Sequence, residues 1–167
     1  MNRRRFGGAA RLLMMAAMMS LPVYAASAAM VSFLVVETGL HDEVSSSQYS
    51  SVWEGGMMDA FFNAGHIVTN NPVARLDKMP AVDLTGSVKY DFDEAVEGGA
   101  EYFVLAYLEY QEQRRVPTGI TVKIFRTDTA ALVYEGSFPA GTARTLNEEY
   151  QVAQNAGRLI ISNIRDR

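Results

Sequence analysis

His41 and His66 are the two imidazoles of a 167-residue chain, and a catalytic triad or a zinc site would have to draw on one of them. His41-Asp42-Glu43 sets an imidazole beside two carboxylates, and His66 opens an apolar run that follows a helical segment. The two would form a metal site if they met at one end of a sheet. Solvated or capping histidines in a loop and at a strand edge are the simpler account. Ser45, Ser46, Ser47, Ser50 and Ser51 cluster, yet neither G-x-S-x-G nor S-x-x-K occurs, so helix capping and turns account for them. Asp91, Asp93, Glu94 and Glu97 lack the glycine and distal glutamate of a calcium loop. First-turn helix acids explain that group better. Glu109, Glu112 and Glu135 would serve glycoside chemistry only as a close pair across a hairpin. None of the Gly-Gly pairs has the strand-to-helix setting of a phosphate cradle. No catalytic, cofactor-binding or metal-ligating residue is assigned on this basis, and no cofactor is expected.

The N-terminus is more specific. Arg3, Arg4, Arg5 and Arg11 supply positive charge, Leu12 to Met19 is wholly apolar, and Ser20-Leu21-Pro22 interrupts it before the small residues Ala25 to Ala29. A charged head, a short apolar middle and a small-residue exit define a signal peptide. Residues 1–28 are therefore expected to be a signal and residues 29–167 a single domain. The apolar run is about half the ~20 residues of a spanning helix. The competing expectation is an uncleaved anchor, because apolar character resumes after Pro22. Asn2-Arg3-Arg4-Arg5-Phe6 also resembles the twin-arginine export pattern, beside which the general secretory route stays open.

Removing four arginines and no acid takes the formal net charge from −4 to about −8. An acidic domain with no Lys/Arg stripe has no footprint for nucleic acid, and anionic headgroups are disfavoured alike. The absence of cysteine excludes disulfides, thiolate metal sites and acylation at a lipoprotein cysteine. About 140 residues nevertheless suffice to bury one core without staples.

These constraints leave the elements themselves. Met30 to Glu37 is a nearly continuous apolar run, the pattern of a strand covered on both faces. Ser45 and Gln48 form a capping box. The helix after it carries Tyr49, Val52, Trp53, Met57, Ala60 and Phe61 as one stripe. Adjacent Phe61 and Phe62 point about 100° apart, so one of the two should be exposed. Gly55-Gly56 in that helix either packs closely against a sheet, which is the expectation, or leaves the helix locally weak. His66 to Asn70 predicts a second strand ended by Asn71-Pro72. Val73 to Val88 has no clear period and reads as loop with room for one short element. Asp91 is expected to open a short helix that stops at Gly98-Gly99. Strands follow at Tyr102–Leu108, Gly119–Phe125 and Ala131–Glu135, the last two as a hairpin about Thr127-Asp128-Thr129-Ala130. Glu109 to Arg115 between them is a polar loop, with Tyr107 and Tyr110 near a possible tip. Thr145 and Glu148 make a second capping box, and the terminal helix after it should bury Leu146, Tyr150, Ala153, Ile160 and Ile164. The order predicts an α/β domain, a mixed central sheet of about five strands packed with helices.

This layout resembles the periplasmic α/β domain shared by the curli secretion-channel subunit and the penicillin-binding-protein activator lipoproteins. The likeness rests on Phe33-Leu34-Val35-Val36-Glu37, the helix from Trp53 to Phe62, the passage from Ala95 through Gly98-Gly99-Ala100 to Leu105, and the hairpin Thr121 to Tyr134. It departs from those families in having no cysteine to acylate. The resemblance implies a non-enzymatic envelope protein that binds other proteins, and it transfers no functional residues.

The expectation is an exported, non-enzymatic accessory protein, periplasmic or secreted. It would act through contacts with envelope proteins or with itself, without nucleic acid and without stable membrane insertion of the mature chain. A module for a small apolar or amphipathic ligand is the alternative, suggested by the Met and Phe residues in and after the first helix. An unrecognised hydrolase using Ser or carboxylates is the third.

Overall fold

The computed structural model describes residues 28–39, 48–111 and 116–165. The apolar run at its start becomes an interior strand of a sheet: in strand β1 (Met30–Thr38) every residue after Met30 is buried. The remaining elements are α1 (Gln48–Asn63), β2 (Ile67–Asn70), β3 (Ala74–Leu76), α2 (Gly86–Glu97), β4 (Tyr102–Glu109), β5 (Gly119–Arg126), β6 (Leu132–Phe138) and α3 (Leu146–Arg165). Together they form one domain with a mixed six-stranded sheet and three helices, ordered β2-β1-β4-β5-β6 with β3 also beside β1. The five expected strands are present, and β3 is the sixth.

β1 pairs in parallel with β4 along nearly its whole length, from Val31↔Tyr102 to Thr38↔Glu109. On its other side it is served by two short strands in succession. β2 covers Met30 to Phe33, and β3 covers Val36 to Thr38. Asn71-Pro72 explains the gap, since proline has no amide hydrogen to continue a ladder. The Asn71 amide still donates to the Phe33 carbonyl at 2.9 Å. Beyond β4 the sheet turns antiparallel, through β5 to β6. There Ile120, Val122 and Ile124 share one buried face as their alternation requires.

The two faces hold separate cores. Val31, Phe33, Val35, Val104, Ala106 and Leu108 pack with Trp53, Met57 and Phe61 of α1 and with Ala153, Ile160 and Ile161 of α3. Leu34, Val36, Phe103, Leu105 and Tyr107 point the other way, onto Val88, Phe92 and Ala95 of α2. Each core contains an edge-on aromatic pair, Phe33 with Phe61 at 5.2 Å and Phe92 with Phe103 at 5.5 Å. Phe62 is 65 % exposed while Phe61 is buried, the division that their 100° offset requires.

Four expectations need correction. Gly56 packs against helix α3, not against a sheet: a Cβ there would lie 2.6 Å from Ala153 Cβ and 2.9 Å from the Tyr150 carbonyl. Gly157 of α3 answers it, with Ala60 Cβ at 2.7 Å. Helix α2 begins at Gly86, five residues before Asp91. Its acids therefore lie in later turns and do not serve the N-terminal dipole. The stretch Val73 to Val88 contains one short strand, β3, as allowed for, but also the first residues of α2, and Val88 is a core residue. Leu146 is exposed, because it opens α3 ahead of the first residue that faces the sheet. Of the capping boxes, Ser45 lies outside the described residues. At the second, the Glu148 amide donates to Thr145 Oγ1 at 3.2 Å, and the Glu148 carboxylate accepts from the amide of Arg144, one residue before the cap.

The adjacent glycines of α1 should respond in opposite directions. A Cβ on Gly55 meets only Tyr150 Cε2 at 3.5 Å, so Gly55→Ala is expected to stabilise by up to about 1 kcal/mol through helix propensity. Gly56→Ala must push α1 and α3 apart and is expected to cost about 1–3 kcal/mol. Urea unfolding of both variants checks the sign at each position.

Candidate functional site

Most of the chemistry-bearing residues are engaged in holding the fold. His66 sits half-buried at the entrance to β2, where its Nδ1 accepts the Ala29 amide at 3.3 Å and its ring lies 5.7 Å from Phe61. His41, Ser45 to Ser47 and Glu112 lie outside the described residues, so the proposed meeting of the two histidines does too. Asp91 and Glu94 both accept from the side-chain amide of Asn71, at 2.9 and 3.3 Å, and so tie α2 to the end of β2. Asp93 pairs with Lys89 one turn earlier. Among the described residues no group of three or more His, Asp or Glu side chains converges as metal ligands would.

Glu109 and Glu135 are not a carboxylate pair. Glu109 is opposite Gly119 and Glu135 is opposite Lys123, which puts them four residues and two strands apart, roughly 16 Å. Glycosidase carboxylates need less than about 10 Å. Each has a local partner instead: Thr121 donates to Glu109 at 3.0 Å, and Lys123 approaches Glu135 at 3.5 Å.

The largest polar assembly lies on the α2 side of the sheet, where α2 covers β1 and β4 and leaves β5 and β6 less protected. In register across the strands run Tyr107, Thr121 and Ser137, and beside them Leu105, Lys123 and Glu135. Thr121 and Ser137 hydroxyls are 3.2 Å apart. Asp83, in the segment before α2, reaches over to Lys123 at 2.9 Å. Partial burial works against the Lys123 ammonium, but hydrogen bonding and charge from Asp83, then Glu135, outweigh it and raise its pKa. The lysine stays cationic and is a poor nucleophile. Beneath it the Tyr107 hydroxyl is buried, and burial first and the Asp83 charge second push it far above the ordinary phenol range. This assembly clamps the 77–85 segment onto the sheet, and its chemistry is that of a closed ion-pair network.

Two buried carboxylates were not foreseen. Glu149, in the first turns of α3, accepts Trp53 Nε1 at 2.8 Å, the Gly141 amide at 2.7 Å and the Ala143 amide at 3.3 Å. It thus joins α3, α1 and the segment between β6 and α3. Glu37 is fully buried at the carboxyl end of β1 and pairs with Arg75 of β3 at 3.0 Å. A lone acid inside an otherwise apolar strand run is a readable signal for Glu37. Nothing local distinguishes Glu149 from its neighbour Glu148. Glu54 of α1 is a third case: burial raises its pKa, and an Asn70 side-chain hydrogen bond opposes that.

The aromatic stripe of α1 divides cleanly, with Trp53 and Phe61 buried and Phe62 outside. Met57 is in the core, and Met30, Met58 and Met79 pack against the two clusters. Tyr107 and Tyr110 are buried and do not form a hairpin tip.

Fold and side chains together define an α/β sandwich, among whose described residues Lys123, Asp83 and Glu135 are paired with one another. The chain belongs to a family whose description is "Uncharacterised protein", the model of which matches residues 30–164. No curated protein matches it. Among solved structures it is similar to the PelC dodecamer from Paraburkholderia phytofirmans, at 14% identity over 84% of this chain and 90% of that one, TM-score 0.50. It is also similar to lipoprotein GNA1162 from Neisseria meningitidis (9% identity, 83% and 99% covered, TM-score 0.44) and to the LpoB C-terminal domain from Salmonella enterica (13%, 68% and 84%, 0.40). At these identities the likeness is one of fold. No helix among the described residues is long and apolar enough to cross a membrane.

Glu149→Ala strands the Trp53 and Gly141 donors in a buried site and is expected to cost about 2–4 kcal/mol. Denaturation followed by fluorescence of Trp53, the single tryptophan, measures it. Glu54 titrates in the opposite sense to a salt-bridged acid. Its folded pKa lies above its unfolded value, so its ionisation penalises the fold as pH rises past the ordinary carboxylate range. Glu54→Gln is therefore expected to raise Tm at pH 7, with the gain over wild type shrinking toward pH 4. A gain that grows on acidification would contradict this.

Proposed function

We propose that the chain is an exported, non-enzymatic accessory protein of the cell envelope that acts through protein–protein contacts, self-association among them. Residues 1–28 are its signal peptide and residues 29–167 the working domain, periplasmic or secreted. The observation that carries the reading is the fold shared over 84% of the chain with the subunit of the PelC dodecamer. Support comes from the N-terminal segment, whose charged, apolar and small-residue parts are in export order. Both β1 and the family match begin at Met30, next to the small-residue stretch where cleavage is expected. Lys123, whose pKa is raised against partial burial by Asp83 and Glu135, stays cationic and does not suit a nucleophile.

Intact mass of the protein from its native host, with size exclusion and crosslinking on the same sample, tests this. Expected are a chain cut between Ala25 and Ala29 and crosslinks to itself or to envelope proteins. An uncut chain in the membrane fraction overturns the export of a free domain. Turnover above blank on ester, glycoside or peptide substrates overturns the non-enzymatic role.

A further inference from the structure

The first bonds of the sheet are made by a residue inside the stretch where export would cut the chain. Ala29 is buried, at 6 % exposure, whereas Ala28 is exposed. The Ala29 amide donates to His66 Nδ1 at 3.3 Å, and the Ala29 carbonyl accepts the Ile67 amide at 3.0 Å. Both bonds fasten the start of β1 to the start of β2, just ahead of the register that opens at Met30↔Ile67. The step from exposed to buried chain therefore falls at the Ala28–Ala29 bond. Ala26-Ser27-Ala28, immediately before it, has the small-x-small form that a signal-removing peptidase reads. A cut after Ser27-Ala28-Ala29 would discard the buried methyl group and both bonds to β2. A cut after Val23-Tyr24-Ala25 puts branched Val23 in place of one small residue.

We infer that the Ala28–Ala29 bond is the one hydrolysed, and that His66 is the site on which the new α-amino group docks. This rests on the exported-protein reading and gives the mature terminus a partner. Hydrolysis leaves a carboxylate on Ala28 and an amine on Ala29, water supplying the oxygen and the hydrogen. The amine is largely protonated at neutral pH. His66 Nδ1 accepts from it, with the ring proton on Nε2. A bond from an ammonium is charge-assisted, roughly twice as strong as the neutral amide bond it replaces. Ala28 is exposed, so its departure leaves water on the other side of the new charge, which is not sealed into the core. The His66 ring lies 5.7 Å from Phe61, and this packing holds Nδ1 toward Ala29. Processing thus strengthens the first fastening between β1 and β2.

Full-length wild type, His66→Phe and His66→Asn are exported in the native host and recovered as mature protein. By peptide mass, wild type is expected to begin at Ala29, lighter by Ala-Ser-Ala than a chain cut after Ala25. The α-amine is then acylated at neutral pH, where it reacts ahead of lysines, with Lys89 as internal standard. Phenylalanine keeps the ring packing and removes the acceptor, while asparagine sets an oxygen close to the Nδ1 position. Acylation relative to Lys89 is expected to rise roughly tenfold in His66→Phe and to stay near wild type in His66→Asn. Circular dichroism checks the fold of each. A reading that needs no variant is the imidazole nitrogen resonances of His66 in wild type, expected to shift when acylation turns the ammonium into an amide. A mature chain that begins at Ala26 overturns the inference and leaves export standing. So does a chain that begins at Ala29 with unshifted His66 resonances and equal acylation in all three proteins. An uncut chain overturns both.

Discussion

Everything on the α1 side of the sheet depends on how closely two helices approach. Gly56 of α1 and Gly157 of α3 leave no room for a methyl group, each occupying the space where the other helix presents Ala153 or Ala60. That contact lets both helices lie on the same few strands. Trp53, Met57 and Phe61 on one and Ala153, Ile160 and Ile161 on the other then share a single core. Glu149 secures the arrangement, because its carboxylate holds Trp53 from α1 and two backbone amides ahead of α3. Without disulfides, the position of α3 is set by this packing and these charge-assisted bonds.

The other side of the sheet is held by a different kind of force. α2 contributes three buried apolar side chains, Val88, Phe92 and Ala95, and the rest of its placement is polar. Asn71 takes Asp91 and Glu94 at one end, while Asp83 and Lys123 fix the preceding segment over β5. One layer is thus secured by shape and the other by charge.

Much of this was legible in the amino acids. The continuous runs at Val31–Val36 and Phe103–Leu108 announced strands buried on both faces, and the alternation of Ile120, Val122 and Ile124 announced a half-polar one. The boundaries that failed did so for physical reasons. The start of α2 has no side-chain cap on its backbone: Thr85 turns its hydroxyl to the Val82 carbonyl instead. The acids at 91 to 94 therefore gave the stronger local signal and displaced the boundary. β3 is three residues long and exists only because β1 offers an edge beyond Pro72. No periodicity can reveal a strand that short. Gly56 announced a close approach, but sequence does not say to which element. The site residues follow the same rule. Glu37 carries a local signal that was passed over, an acid closing an apolar run, whereas the burial of Glu149 depends on α1, distant in the chain.

The placement of β1 has a consequence in time. It is the first strand of the described residues and lies inside the sheet, between the short strands β2 and β3 and its main partner β4, which begins about seventy residues later. At a synthesis rate of about 5–20 residues per second, β1 waits roughly 4–14 s for that partner to exist. During that interval the most apolar strand of the protein has nowhere to go. The interior position that makes β1 the best-buried strand of the finished fold also keeps the nascent chain open, for as long as it takes any factor that recognises extended apolar segments to find it.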